Sequence, residues 1–148
     1  PGVGEVGTHA DYEAALCRWY EGNAERISAV VLVIQADAKA HADDKRLLEA
    51  LLGRCERPLL IVLSQVDKLA PTREPLATDT WRGELRACSL KSRLITRKLT
   101  EISRQFGIGQ RCVVPVAFEG GRAFNRRALA RAIVERLRGY VGNSGLRS

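Results

Sequence analysis

Ala29-Val30-Val31-Leu32-Val33-Ile34 is apolar at every position and rich in β-branched residues. A strand with one wet face alternates apolar and polar side chains, so a run apolar on both sides reads as a strand inside a parallel sheet, with helices on its faces. Working outward, residues 11–24 place Tyr12, Ala15, Leu16, Trp19 and Tyr20 at helical spacing, with Asp11 positioned as a cap. Downstream, Asp43 to Cys55 repeats Leu47, Leu48, Leu51, Leu52 and Cys55 on one helical stripe. Leu59-Leu60-Ile61-Val62-Leu63 is a second buried strand. A loop rich in Pro, Thr and Asp over 69–81 precedes a long helix ending near Gly107, with Ile95, Leu99, Ile102 and Phe106 inward. Cys112 to Ala117 reads as a third strand. Arg127 to Leu137 reads as a last helix with Leu129, Ala130, Ile133, Val134 and Leu137 inward, and residues 142–148 as a frayed tail.

This alternation predicts an α/β fold over residues 1–141: a three-layer arrangement with a parallel sheet flanked by helices and joined by right-handed crossovers. Three strands laid side by side in chain order put both crossover helices on one face, leaving the first and last helices for the other. The outer edge of the first strand is then bare, and the chain reads as half of a larger nucleotide-binding fold. An edge this apolar, without a lysine, proline or bulge, predicts pairing with a second copy, a homodimer through the first strand.

Composition narrows the function classes. With 148 residues, 45% apolar and 28% charged, the chain suits one globular domain. Its apolar runs are far too short for a membrane span, and PGVGEVG at the front lacks the basic and apolar regions of a signal peptide. Cys17, Cys55, Cys88 and Cys112 form no CxxC pair, so buried, reduced thiols in a cytoplasmic protein are expected. His9 and His41 stand at no ligand spacing, so no structural metal is expected. Residues 1–74 carry 9 Lys/Arg and 12 Asp/Glu, whereas residues 75–148 carry 15 and 5. The basic half, with its arginines over 82–138, invites a nucleic-acid or acidic partner. No aromatics interleave with these arginines as stacking platforms, and solvated helix faces account for them equally well. Asp43, Asp44 and Glu49 read as dipole-favoured acids at a helix start rather than an acid–base pair.

Ligands of open α/β sheets bind beyond the carboxyl ends of the strands, so the residues just after each strand carry the functional information. They are Gln35-Ala36-Asp37, Ser64-Gln65-Val66-Asp67-Lys68 and Phe118-Glu119-Gly120-Gly121. Asp37 reads as a turn former. Pro1-Gly2-Val3-Gly4-Glu5 is a glycine-rich loop leading into a helix, suited to presenting amides to an anion.

Taken in order, PGVGE, a strand ending in AD, a strand ending in SQVDK, and VVPVA before a final helix resemble the Era-like branch of the P-loop GTPases, in the translation-factor-related class. Within it they resemble bacterial GTPases that read DLPGVGE, a buried strand ending in AD, and a VxQADK-like motif. The resemblance runs from Pro1 to about Tyr140 and covers the second half of a GTPase domain. It implies that Pro1-Gly2 closes the DxPG motif, with the Gly2 amide on the γ-phosphate. Val3 falls where many GTPases carry a water-orienting glutamine, which implies water positioned by potassium or a partner. Ser64-Gln65-Val66-Asp67, followed by Lys68, matches [NT]KxD. Asp67 then accepts N1–H and N2–H of guanine, a donor pair that adenine does not present. Gln65 replaces the lysine whose stem lies on the base, and Ser64 the asparagine that ties loops together. Ala117-Phe118 stands at the SA motif, with the serine lost and a ring introduced.

GxxxxGK[ST] does not occur in these residues, nor do the switch threonine and the magnesium-holding aspartate that the family carries before PG. The intact family fold implies GTP or GDP with magnesium. By itself the chain is expected to hold neither tightly and to hydrolyse no GTP. The other reading is a degenerate, non-catalytic interaction module using a basic face.

Overall fold

The computed structural model describes residues 9–38, 41–52, 59–70, 76, 90–119 and 122–144. Its centre is a three-stranded parallel sheet in chain order: β1 (Val30–Gln35), β2 (Leu59–Ser64) and β3 (Val113–Pro115). Val30 pairs with Leu59 and Gln35 with Ser64, while Ile61 pairs with Val113 and Leu63 with Pro115. Alternation along these registers divides the core into two. Val30, Leu32 and Ile34 share a face with Leu59, Ile61 and Leu63. Helices α2 (Ala42–Leu52) and α3 (Leu90–Phe106) close over that face through Leu48, Ile95, Leu99, Ile102 and Phe106. On the opposite face Leu60, Val62, Val114 and Val116 pack under α4 (Arg126–Ser144) through Leu129, Ala132 and Ile133. The α/β architecture with helices on both faces of a parallel sheet thus holds among the described residues.

Several local expectations change. Helix α1 (His9–Asn23) begins two residues before Asp11, which lies in the first turn and not at the cap. It sits on the same face as α2 and α3, not with α4. Cys17 and Tyr20 pack on Leu51 of α2 and on Val30 at the start of β1. That contact rotates the helix so that Leu16, Cys17, Tyr20 and Ala24 point inward, and Trp19 is left 59% exposed. Ala130 and Val134 of α4 are also exposed, because this helix, the only described one on its face, covers β2 and β3 but does not reach β1. Val31 and Val33 lie uncovered for the same reason, at 43% and 61%. The edge of β1 away from β2 pairs with no other described strand.

The third strand is shorter than the apolar run Cys112–Ala117. Pro115 has no N–H to donate, and after one further bond, from the Val116 amide to the Leu63 carbonyl at 2.8 Å, the chain leaves the sheet. It forms a separate antiparallel hairpin, β4 (Ala117–Glu119) with β5 (Arg122–Phe124). Asn125 ends the hairpin in the left-handed region, φ 64°, and is 99% buried. Its side-chain amide donates to the Pro115 carbonyl at 2.9 Å, and its own carbonyl accepts the Leu129 amide, starting α4. At the end of α3, Gly107 adopts φ 65°, the conformation that terminates a helix with least strain in glycine.

Helix α4 continues through Ser144, three residues into the stretch read as a tail. Cys17 is a buried free thiol and Cys112 a half-buried one; Cys55 and Cys88 lie outside the described residues. No helix among the described residues is long and apolar enough to cross a membrane.

Candidate functional site

The segments that follow β2 and β3 meet at one corner of the sheet. Ser64, the last residue of β2, ties that corner to β1. Its hydroxyl donates to the Ile34 carbonyl at 2.9 Å, and its carbonyl accepts the Ala36 amide at 2.9 Å. The serine hydroxyl thus joins the carboxyl ends of two neighbouring strands. Gln65 then takes φ 58° and ψ 35°, a left-handed conformation costing a non-glycine residue about 1 kcal/mol. The reversal drives Val66, fully buried, into the core and aims the following turn outward.

Residues Val66–Lys68 form a 3-10 turn closed by the Lys68 amide on the Gln65 carbonyl at 3.0 Å. The Val66 amide donates to the Val116 carbonyl at 3.3 Å, which fastens the turn to the segment entering β4. A second clamp comes from α3. The ammonium of Lys91, only 2% exposed, donates to the main-chain carbonyl of Asp67 at 2.6 Å. Asp67 thus has its backbone held from below while its half-buried side chain projects from the turn. Among the described residues no hydrogen bond or ion pair reaches its carboxylate.

Next to this turn Ala117 is buried at 2%, and Phe118 stands 66% exposed on β4. Six of the sequence-predicted residues (Ser64, Gln65, Asp67, Lys68, Ala117 and Phe118) are consequently gathered at the carboxyl ends of β2 and β3. Gly2, with the rest of PGVGE, lies outside the described residues. Asp37 is exposed in the turn after β1, as a turn former should be. The corner offers an open carboxylate, an exposed aromatic face, the half-buried Gln65 and the exposed Lys68. That set can accept two N–H donors and cover a flat ring.

Two residues that shape the corner escaped the sequence reading, Lys91 and Asn125. Lys91 lies one helical turn before Ile95 on the buried stripe of α3, and a lysine on such a stripe signals a buried partner for its ammonium. Asn125 immediately precedes the helical run, where an asparagine that tolerates the left-handed region belongs.

Magnesium fares differently. Among the described residues no group of three or more His, Cys, Asp or Glu side chains converges as a metal site. The described residues therefore present no ligand set that fits a magnesium ion. Away from the corner, the Asp44 carboxylate lies 3.2 Å from Nδ1 of the buried His41. Asp43 and Glu49 are exposed on α2 in contact with Arg46 and Lys45. The chain matches no family model, no curated protein and no solved structure.

Proposed function

We propose that this chain is the base-recognising part of an Era-like GTP-binding protein, with Asp67 as the guanine-selective carboxylate. The observation that carries the reading is the join between the Ser64–Lys68 turn and the Ala117-Phe118 segment. The two are 50 residues apart in sequence, are fastened by the Val66-to-Val116 hydrogen bond, and leave the Asp67 carboxylate without a hydrogen bond among the described residues. A carboxylate so placed accepts N1–H and N2–H of guanine side by side. Adenine presents an acceptor at N1 and no donor at C2, so it leaves that carboxylate unpaired. Phe118 lies against the base or fills the space beside it, in place of the serine of the family motif. Gln65 covers the other side with a shorter stem than lysine.

The phosphate-binding loop of the family is not among these residues. The chain therefore reads the base and does not hydrolyse GTP by itself; phosphate release with GTP, magnesium and potassium stays at the no-protein background. Selectivity is tested in a chain that also carries a phosphate-binding loop, covalently or as a second chain. There Asp67→Asn shifts preference from guanine to xanthine nucleotides, at a cost to guanine of about 2–4 kcal/mol. Unchanged preference in a GTP–XTP competition moves base recognition away from Asp67.

A further inference from the structure

Lys91 is the second residue of α3, and its ammonium sits where a cation is unfavourable on two counts. The residue is 2% exposed, so the charge has left bulk water. The first turn of a helix is the positive end of its dipole, and that of α3 carries no acid to offset a cation. A neutral amide or hydroxyl meets a buried carbonyl at a lower desolvation cost. What the cation adds is strength, because a charged donor makes a hydrogen bond about twice as strong as a neutral one.

That bond goes to the main-chain carbonyl of Asp67, at 2.6 Å, and not to its carboxylate. The difference matters at this corner. An ion pair with the carboxylate would compete with the N–H donors of a ligand. A bond to the carbonyl leaves the carboxylate open and fixes the peptide that follows it. The same peptide is held through its N–H, which the Lys68 amide donates to the Gln65 carbonyl at 3.0 Å. The peptide before Asp67 is held through the Val66 carbonyl, which accepts the Leu69 amide at 3.3 Å. With both flanking peptides fixed, the direction of the Asp67 Cα–Cβ bond is fixed as well. Two donors side by side on a ring engage both oxygens of a carboxylate only when it is aimed at them, so this direction enters the affinity.

We propose that Lys91 is a positioning residue for guanine: its ammonium, acting through the Asp67 carbonyl, aims the Asp67 carboxylate before the base arrives. The inference rests on the reading of Asp67 as the guanine-selective carboxylate. A turn aimed in advance spares the ligand the ordering of that turn, an effect of roughly 3- to 10-fold in affinity.

The test is the dissociation constant for GDP, read from the amide shifts of Gln65, Val66, Lys68 and Phe118 in the whole labelled chain. It is measured for the wild type, K91M and L99A at a temperature where urea unfolding shows each to be folded. L99A, two helical turns beyond Lys91 on the same buried stripe, destabilises α3 without removing the donor. K91M is expected to weaken GDP roughly 3- to 10-fold, and L99A to keep the wild-type constant. Should K91M fail to unfold cooperatively, K91Q, a shorter and neutral donor, is expected to weaken GDP by roughly 3-fold or more. A folded Lys91 variant that binds GDP as tightly as the wild type overturns the inference and leaves guanine reading by Asp67 standing. A loss in L99A as large as that in K91M overturns it too, because the effect then belongs to the core of α3. A wild type whose amides at these residues do not respond to GDP overturns both readings together.

Discussion

The Lys91 ammonium and the Asp67 carbonyl lie 2.6 Å apart across 24 residues of sequence, and this contact joins the core of α3 to the turn that displays the Asp67 carboxylate. A lysine head group buried beneath Ile95 and its neighbours would be costly without acceptors. Its presence makes the position of the turn a property of the core and not of the loop. Lys91→Met keeps the stem and removes the donor, leaving the Asp67 carbonyl short of a charged hydrogen bond. The expected loss of stability is about 1.5–3 kcal/mol, read from urea unfolding. A variant as stable as the wild type would show that the carbonyl is satisfied by other means.

Gln65 carries a different prediction. Its left-handed backbone is strained for a side chain with a Cβ, and glycine relieves that strain while increasing the entropy of the unfolded chain. The first effect is the larger at φ 58°, so Gln65→Gly should raise stability by about 0.5 kcal/mol. In a chain able to bind nucleotide, the same change removes the cover that the glutamine stem gives the base, and guanine affinity falls. Stability and affinity moving in the same direction would contradict the role given to this side chain.

The two faces of the sheet differ in what they tolerate. Ile61, fully buried between β1 and β3, should lose about 3–4 kcal/mol on substitution by alanine. Val31 is 43% exposed on the α4 side of the sheet, where α4 does not extend as far as β1, in a strand whose outer edge pairs with no described strand. Val31→Lys should leave the subunit folded. We expect the wild type to sediment as a homodimer at micromolar concentration, two copies joined along β1, and Val31→Lys to sediment as a monomer. A monomeric wild type that unfolds on Val31→Lys would place β1 inside a sheet completed by other residues of the chain.

Much of this architecture was legible because burial is written into composition. Ala29–Ile34 and Leu59–Leu63 have no polar side to face water, so their strands and parallel pairing followed, and Gly107 marked the end of α3. What the pattern left open was the choice between neighbours of similar character. Trp19 and Tyr20 are both aromatic and adjacent on α1, and helical periodicity does not say which one a partner covers. The answer depended on where α2 sits. The exit at Val116 was concealed by the apolar run around Pro115, although the missing N–H of that proline is the physical reason for it. At the Asp67 corner the residues of the turn, Ser64 to Lys68, were visible as a motif. Their clamps, Lys91 and Asn125, come from other elements and became apparent once the chain was folded.

Guanine recognition by the Asp67 corner is tested most directly by the amide chemical shifts of the uniformly labelled chain titrated with GDP and, separately, with ADP, to millimolar concentration so that weak binding is seen. The account predicts that GDP shifts the amides of Gln65, Val66, Asp67, Lys68 and Phe118, that ADP does not, and that Asp67→Asn abolishes the response to GDP. Shifts of equal size with ADP, or none at these residues with GDP, would contradict it.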